Sequence, residues 1–270
     1  MRLNIFFLMI TKNLRNVKLF LLDLDGTFYL DSQLYPWSLP FMNALKAKGI
    51  KHLFLTNNSS ASREFYADKI TQMGLETQPS DVFSSTTATI QYLQRRHPEE
   101  RVYVLGTPDM ERELVDGGIT LVQEEPDIVL LGFDKTLTYD KLRKACFWVR
   151  AGKTYIATHP DINCPMKEGP IPDTGAMIEL IAASAERRPD LIIGKPNPPI
   201  IEALFEQYPY QRDEIAMVGD RLYTDIQTGI NGGIISILVL SGETTREMYD
   251  AWENRADFVF NNLGDIIDHL

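Results

Sequence analysis

The chain has 270 residues, of which 44% are hydrophobic and 24% are charged. This composition is ordinary for globular proteins and excludes general disorder, and the length suits about two domains of about 150 residues each. The 37 acidic residues outnumber the 27 basic ones and give a formal net charge of −10. Broad nucleic-acid binding is therefore not expected, because phosphate backbones would be repelled.

The N-terminal apolar run Ile5–Ile10 is too short for a signal peptide, which usually has roughly 7–15 apolar residues before a cleavage site. We interpret it as an arm packed on the domain, or as the result of an upstream start codon. No stretch reaches the roughly 18 apolar residues of a membrane span. Cys146 and Cys164 match neither a disulfide framework nor a metal-ligand pattern. We therefore expect a cytoplasmic protein without membrane contact.

Short apolar runs alternate with amphipathic stretches at both ends of the chain. Lys18–Leu24 is apolar almost throughout, as in a strand buried on both faces. Further strands are predicted at His52–Leu55, Leu191–Ile193, Ile215–Val218, Ile234–Leu238 and Phe258–Phe260. Helices are predicted at Pro40–Lys48, Ser62–Met73, Pro199–Gln207, Thr224–Ile230 and Thr245–Asn254. This alternation predicts an α/β fold with a doubly wound, Rossmann-like parallel sheet and right-handed crossovers.

The middle of the chain has an alternating set of its own. Strands are predicted at Arg101–Leu105, Ile128–Leu131 and Tyr155–Ala157, and helices at Thr86–Arg96, Met110–Val115, Tyr139–Arg150 and Gly175–Arg187. We therefore expect a core made of residues 1–79 and 189–270. A smaller α/β cap domain, residues 80–188, is inserted into it.

Four polar segments each follow the end of a predicted strand in these outer parts of the chain. They are Asp23–Thr27, Thr56–Ser60, Gly194–Pro196 and Gly219–Asp225. In an open parallel sheet, ligands bind at the carboxyl ends of the strands. Since an isolated Asp or Gly-Lys-Pro is often only a cap or a turn, it is the four together that predict a single site.

The residue types at these ends suit phosphate-ester hydrolysis. Asp23 is the candidate nucleophile, since a carboxylate can form an aspartyl-phosphate. Asp25 lies two residues on, where both carboxylates can face one cleft, and would act as the general acid and base. Lys195 would neutralise the aspartate and the phosphate, while Thr56 and Asn57 would hold a phosphate oxygen or support the nucleophile.

A phosphoryl group beside two carboxylates requires a cation, and Mg²⁺ is the natural choice because it prefers oxygen ligands. Asp225 is either a partner of this site or a surface residue in the first turn of a helix, where negative charge is favoured. In the inserted part, His159 and Asp161 follow a predicted strand and are expected to face the cleft. His159 would line the substrate pocket or only shape the loop.

The sequence resembles the haloacid dehalogenase superfamily of phosphatases, and in particular its NagD-like, 4-nitrophenylphosphatase-like branch. The matching segments are LFLLDLDGTFY, FLTNNSS, ATHPDINCP, IIGKPNP and MVGDRLYTDI. The resemblance implies that Mg²⁺ is bound by the Asp23 and Asp220 carboxylates and by the Asp25 backbone carbonyl. It further implies that Asp225 lies behind these ligands and orients Asp220 or a bound water.

The position of the insertion indicates the type of cap. Asp23 and Thr56 are 33 positions apart, which leaves no room for a cap, whereas Thr56 and Lys195 are 139 positions apart. An α/β cap in the second interval favours small phosphorylated metabolites over phosphoproteins. The leading hypothesis is a Mg²⁺-dependent phosphatase. The alternatives are a phosphotransferase that uses an acceptor hydroxyl and a non-enzymatic phosphate-binding regulator. The sequence leaves open whether the protein forms a homodimer.

Overall fold

A computed structural model describes residues 12–166 and 168–270, so the run Ile5–Ile10 lies outside the described residues. The strands are β1 (Leu19–Leu22), β2 (Tyr29–Leu30), β3 (Gln33–Leu34), β4 (Lys51–Thr56), β5 (Val82–Ser84), β6 (Val102–Leu105), β7 (Ile128–Leu131), β8 (Thr154–Ala157), β9 (Asn163–Cys164), β10 (Ile171–Pro172), β11 (Leu191–Ile192), β12 (Ile215–Gly219), β13 (Ile235–Val239) and β14 (Phe258–Phe260). The α-helices are α1 (Ser38–Lys48), α2 (Arg63–Gln72), α3 (Ser85–Arg96), α4 (Pro108–Asp116), α5 (Tyr139–Arg150), α6 (Thr174–Ala185), α7 (Pro198–Gln207), α8 (Gln227–Gly232), α9 (Arg246–Ala251) and α10 (Leu263–Ile266). Within the described ranges, no helix combines the length and the apolar character needed to cross a membrane.

Six strands form the first sheet, in the order β14-β13-β12-β1-β4-β5. All neighbours in this sheet are parallel. In the central strand β1, Phe20 and Leu22 pack into one apolar cluster, and Leu19 and Leu21 pack into another. All four side chains are fully buried, as expected for a strand covered on both faces. The predicted α/β fold with a doubly wound parallel sheet is confirmed.

Four strands form a second parallel sheet, in the order β11-β8-β7-β6. Helices α5 and α6 pack on one face of it, through residues such as Val149 and Ile181. Val104 and Leu130, on the other face, belong to the same apolar cluster as Leu21 of the first sheet. The two sheets are therefore joined by a continuous apolar core.

The sequence predicts domain boundaries at residues 79–80 and 188–189. Near each of them, one strand joins the sheet on the other side of the predicted boundary. β5 pairs with β4 and belongs to the first sheet. Leu191 and Ile192 were expected in the first sheet, but they pair with β8 in the second. A short apolar run predicts a strand, but its sheet is decided by distant pairing partners. By sheet membership, the inserted unit begins between β5 and β6 and ends after β11, while its division from the core as a separate domain stays a prediction.

Candidate active site

Three of the predicted polar segments meet at one edge of the first sheet. Asp23 directly follows β1, Thr56 ends β4, and Asp220 directly follows β12. Because β1 lies between β12 and β4 and all three strands are parallel, their carboxyl ends are adjacent. This is the arrangement that the sequence predicts.

Lys195 reaches the same place from the second sheet, because it follows β11. Its Nζ donates hydrogen bonds to Asp23 Oδ1 at 2.5 Å, to Asp225 Oδ1 at 2.7 Å and to the Leu55 carbonyl oxygen at 3.1 Å. Burial opposes the ammonium charge, but Asp225 and Asp23 outweigh it and raise the pKa of Lys195 above its usual range. Lys195 is therefore a fixed cation beside the candidate nucleophile.

Asp23, Asp220 and Asp225 form a carboxylate cluster, in which one oxygen from each lies within 4.8 Å of the others. Burial and the neighbouring Asp23 carboxylate raise the pKa of both Asp220 and Asp225. The π-helical turn Leu222–Ile226 brings Asp225 back beside the strand end. This all-oxygen, electron-rich set suits a hard divalent cation such as Mg²⁺, whose charge would relieve the repulsion.

The carboxyl group of Asp220 is held in place from several sides. Its Oδ1 accepts a hydrogen bond from Thr27 Oγ1 at 3.2 Å, and its Oδ2 accepts one from the Glu243 backbone N–H at 2.7 Å. A Cβ on Gly26 or on Gly242 would lie less than 3.0 Å from this carboxyl group. Gly26 also has φ of +85°, which favours glycine. Both glycines therefore allow the close approach that fixes Asp220.

Asp25 is an exposed residue that lines the cavity between these strand ends. Enough protein surrounds the carboxyl group that loss of solvation raises its pKa to about 6, against the opposing charge of Lys69. A carboxyl group with a pKa of about 6 is protonated about half of the time at pH 6 and about a tenth of the time at pH 7. This property suits the predicted role as general acid and base.

Asn57 connects two segments of the chain, and its predicted contact with a phosphate oxygen or with the nucleophile stays a prediction. Its Oδ1 accepts a hydrogen bond from the Lys195 backbone N–H at 2.8 Å, and its Nδ2 donates to the Lys195 carbonyl at 2.9 Å. The same Nδ2 lies 3.2 Å from both carboxylate oxygens of Asp161. Asn57 therefore holds the lysine loop and a residue of the inserted unit together, and only its tertiary contacts reveal this.

The two candidates from the inserted unit differ in position. Asp161 lines the catalytic cavity, but His159 is fully buried behind it. Its Nε2 lies 2.9 Å from Asp173 Oδ1, and its Nδ1 lies 2.9 Å from Thr158 Oγ1. Burial lowers the pKa of His159, but the charges of Asp173 and Asp161 outweigh burial and the opposing Lys195, so the pKa is raised. Of the two predicted roles of His159, this buried position favours the shaping of the loop over direct contact with a substrate.

The catalytic cavity has a volume of about 60 Å³ and adjoins a larger one of about 570 Å³. The smaller cavity is lined by Asp23, Leu24, Asp25, Thr56, Asn57, Asn58, Asp161, Asn163, Cys164, Pro165, Asp173, Lys195, Arg221 and Thr224. Arg221 and Asp173 were not among the predicted site residues. Arg221 Nε lies 3.0 Å from Glu243 Oε2, and its position directly after Asp220 is the sequence signal that could have found it.

Comparisons with known proteins agree with this geometry. A family model described as haloacid dehalogenase-like hydrolase matches residues 20–120, and one described as HAD-hydrolase-like matches residues 192–266. An acid sugar phosphatase from Staphylococcus aureus is 34% identical over 258 residues, which cover 95% of this chain and 99% of that protein.

Solved structures of similar proteins also include a phosphatase and NagD. The 4-nitrophenylphosphatase from Thermotoga maritima is 49% identical with a TM-score of 0.92, and the match covers 94% of this chain and 98% of that one. NagD from Escherichia coli K-12 is 30% identical with a TM-score of 0.86, and the match covers 93% and 98% of the two chains. The matches to these relatives each cover at least 93% of this chain.

Proposed function

Because the chain belongs to the haloacid dehalogenase-like hydrolase family and is a phosphatase of its NagD-like branch, we propose that it hydrolyses small phosphomonoesters with Mg²⁺. The reaction proceeds through an aspartyl-phosphate on Asp23. The observation that carries this proposal is the contact of Asp23 with Lys195 beside the carboxylates Asp220 and Asp225. A regulator without catalysis, one of the alternatives, does not fit the phosphatases that this chain resembles over nearly its whole length.

In the first step, an Asp23 oxygen attacks phosphorus and the bond to the ester oxygen breaks. Asp25 donates its proton to that leaving oxygen, which its pKa of about 6 supports. In the second step, Asp25 removes a proton from water, and this water attacks phosphorus and releases inorganic phosphate and free Asp23. Lys195 keeps the charge near the nucleophile balanced throughout, because Asp225 and Leu55 fix its ammonium group.

The residues that would hold Mg²⁺ are the Asp23 and Asp220 carboxylates, together with the Asp25 carbonyl by resemblance to the family. When bound, the ion supplies positive charge beside the transferring phosphoryl group. Asp225 is engaged by Lys195 through Oδ1 and by the Arg221 backbone N–H through Oδ2 at 3.2 Å. Asp225 therefore fits the predicted place behind the direct ligands.

The inserted unit would select the leaving group. The segment between β8 and α6 contributes Asp161, Asn163, Cys164, Pro165 and Asp173 to the catalytic cavity. The adjoining cavity provides room for a small organic group beyond the phosphate site. The acid sugar phosphatases among the relatives support sugar phosphates as the first class to test.

The experiment is a panel of sugar phosphates, nucleotides, pyridoxal phosphate and 4-nitrophenyl phosphate, assayed for phosphate release with Mg²⁺. We expect hydrolysis of the generic ester and a preference among the metabolites. Absence of phosphate release from every ester would refute the proposal. An added alcohol that becomes phosphorylated at the expense of free phosphate would instead favour the phosphotransferase alternative.

A further inference from the structure

Asp173 presents an unusual carboxylate to the catalytic cavity. The residue is only 3% exposed and precedes helix α6. Its Oδ1 accepts hydrogen bonds from the Thr174 backbone N–H at 2.6 Å and from His159 Nε2 at 2.9 Å. Among residues 12–166 and 168–270, no group donates a hydrogen bond to Oδ2, although the residue lines the cavity. Oδ1 thus stabilises the fold through its hydrogen bonds, and Oδ2 is available to a ligand.

The orientation of this carboxylate is fixed by a buried chain of hydrogen bonds. His159, which binds Asp173, lies 2.9 Å from Thr158 Oγ1 through its other ring nitrogen. Thr158 Oγ1 lies 3.0 Å from Ser59 Oγ, which accepts a hydrogen bond from the Phe133 backbone N–H at 2.9 Å. Since Thr158, His159 and Ser59 are fully buried, Asp173 cannot readily turn away from the cavity. The free oxygen is therefore a preorganised acceptor.

The local charge around this acceptor is negative. One ligand atom from each of His159, Asp161 and Asp173 lies within 4.8 Å of the other two. With an imidazolium on His159 and both carboxylates ionised, these three groups carry one net negative charge, while the cations Lys195 and Arg221 also line the cavity. The Nε of Arg221 lies 3.0 Å from Glu243 Oε2 in a salt bridge, although this buried Nε makes no hydrogen bond among the described residues. A second anionic group on a substrate would therefore meet like charge beside the phosphate site.

We propose that Asp173, with Asp161 beside it, is a specificity-determining residue that accepts a hydrogen bond from a hydroxyl or ammonium group near the ester oxygen of the leaving group. Asp173 disfavours substrates that carry a carboxylate in place of this hydroxyl or ammonium group. The inference rests on the proposed function and assigns the substrate class of the same site. The favoured substrates are hydroxylated or aminated phosphomonoesters, and phosphorylated carboxylic acids of similar size are poor ones.

The test uses three esters of nearly equal size that differ in one terminal group. These are phosphoethanolamine, 2-hydroxyethyl phosphate and phosphoglycolate, with 4-nitrophenyl phosphate as the reference. For the wild-type protein with Mg²⁺, we expect kcat/KM for the ammonium and hydroxyl esters to exceed that for phosphoglycolate by about tenfold or more, as for a charge-assisted hydrogen bond. Equal rates would overturn the inference, and a preference for phosphoglycolate would overturn it and point to Arg221 as the selecting residue.

Asp173→Asn and Asp173→Ser remove the charge, and both residues can still cap the following helix. In either folded variant, we expect the preference for the ammonium ester over phosphoglycolate to fall by about tenfold. Asp116→Asn makes the same charge change at an exposed position on α4 and should keep the wild-type preference. An unchanged preference in the Asp173 variants would overturn the inference. Failure of wild-type protein to hydrolyse even 4-nitrophenyl phosphate would refute the proposed function instead.

Discussion

Replacing Lys195 with methionine tests how the buried charges of the site are balanced. The lysine is 3% exposed, and its Nζ lies 2.5 Å from Asp23 Oδ1 and 2.7 Å from Asp225 Oδ1. Methionine fills a similar volume but leaves both carboxylates without their cation. Removing one partner of a buried ion pair typically costs about 3–5 kcal/mol in the free energy of unfolding. We expect a loss of this size in urea unfolding followed by circular dichroism with EDTA present.

The same variant should respond to metal and to a second change. Mg²⁺ would restore part of the lost stability, because it places positive charge beside the same carboxylates. Asp225→Asn in the Lys195→Met background should also restore part of it, since one uncompensated charge is removed. Lys46→Met, at an exposed position on α1, is the matched control and should cost less than about 1 kcal/mol. A loss below about 1 kcal/mol for Lys195→Met would refute the reasoning.

Catalysis by Lys195→Met should fall by a similar factor for every ester. All substrates present the same phosphoryl group to the lysine, and loss of one preorganised charge contact costs about 10²–10³ in rate. The assay is kcat/KM for the metabolite panel, measured on folded protein with Mg²⁺. A loss confined to some substrates would show that Lys195 contacts the leaving group and not the phosphoryl group.

Four further outcomes are expected. Asp23→Asn should keep the wild-type circular dichroism spectrum but release phosphate only at the background rate, because an amide is a poor nucleophile; activity within tenfold of wild type would exclude Asp23 from this role. EDTA should abolish activity, and Mg²⁺ should restore it better than Ca²⁺, which is larger and takes more ligands; full activity after exhaustive chelation would contradict the mechanism. Gly242→Ala should displace the Asp220 carboxylate and weaken Mg²⁺ activation by about tenfold or more, measured as the Mg²⁺ concentration for half-maximal rate. The pKa of His159 in the folded protein is raised above 6.5, so its pairing with Asp173 stabilises the fold fully below pH 6.5. This stabilisation is lost as the pH rises through the pKa of the folded protein. His159→Gln should therefore show a smaller loss of thermal stability above pH 6.5 than the wild-type protein.

The sequence predicts those parts of the site that follow directly from strand ends. Asp23, Thr56 and Asp220 lie where the apolar runs before them end, and parallel pairing then brings them together. Local pattern is sufficient there, because the strand and its polar end are neighbours in sequence. The sequence also predicts Lys195 in the site, but it does so by assigning the preceding strand to the first sheet. That strand, β11, belongs to the second sheet.

The contacts that depend on folding partners could not be predicted. Nothing near Asn57 in sequence indicates that its amide binds the Lys195 backbone, which is 138 positions away. Likewise, the pattern around His159 does not distinguish a pocket residue from a buried support. The distinction depends on a distant contact, because the fully buried imidazole lies 2.9 Å from Asp173 Oδ1, and Asp173 lines the cavity whereas His159 does not.

The pairing of β11 with β8 has a consequence for recombining this protein with its relatives. Lys195 stands three residues after the end of β11, so this candidate catalytic residue is attached to the edge of the second sheet. A chimera that exchanges the inserted unit at the predicted boundary, residue 188, would cut β11 away from its sheet and leave the lysine loop unsupported. Junctions between Arg96 and Val102 and after Asn197 would transfer strand and lysine together. A chimera should therefore take Lys195 from the same parent as the inserted unit, and not from the parent that supplies Asp23.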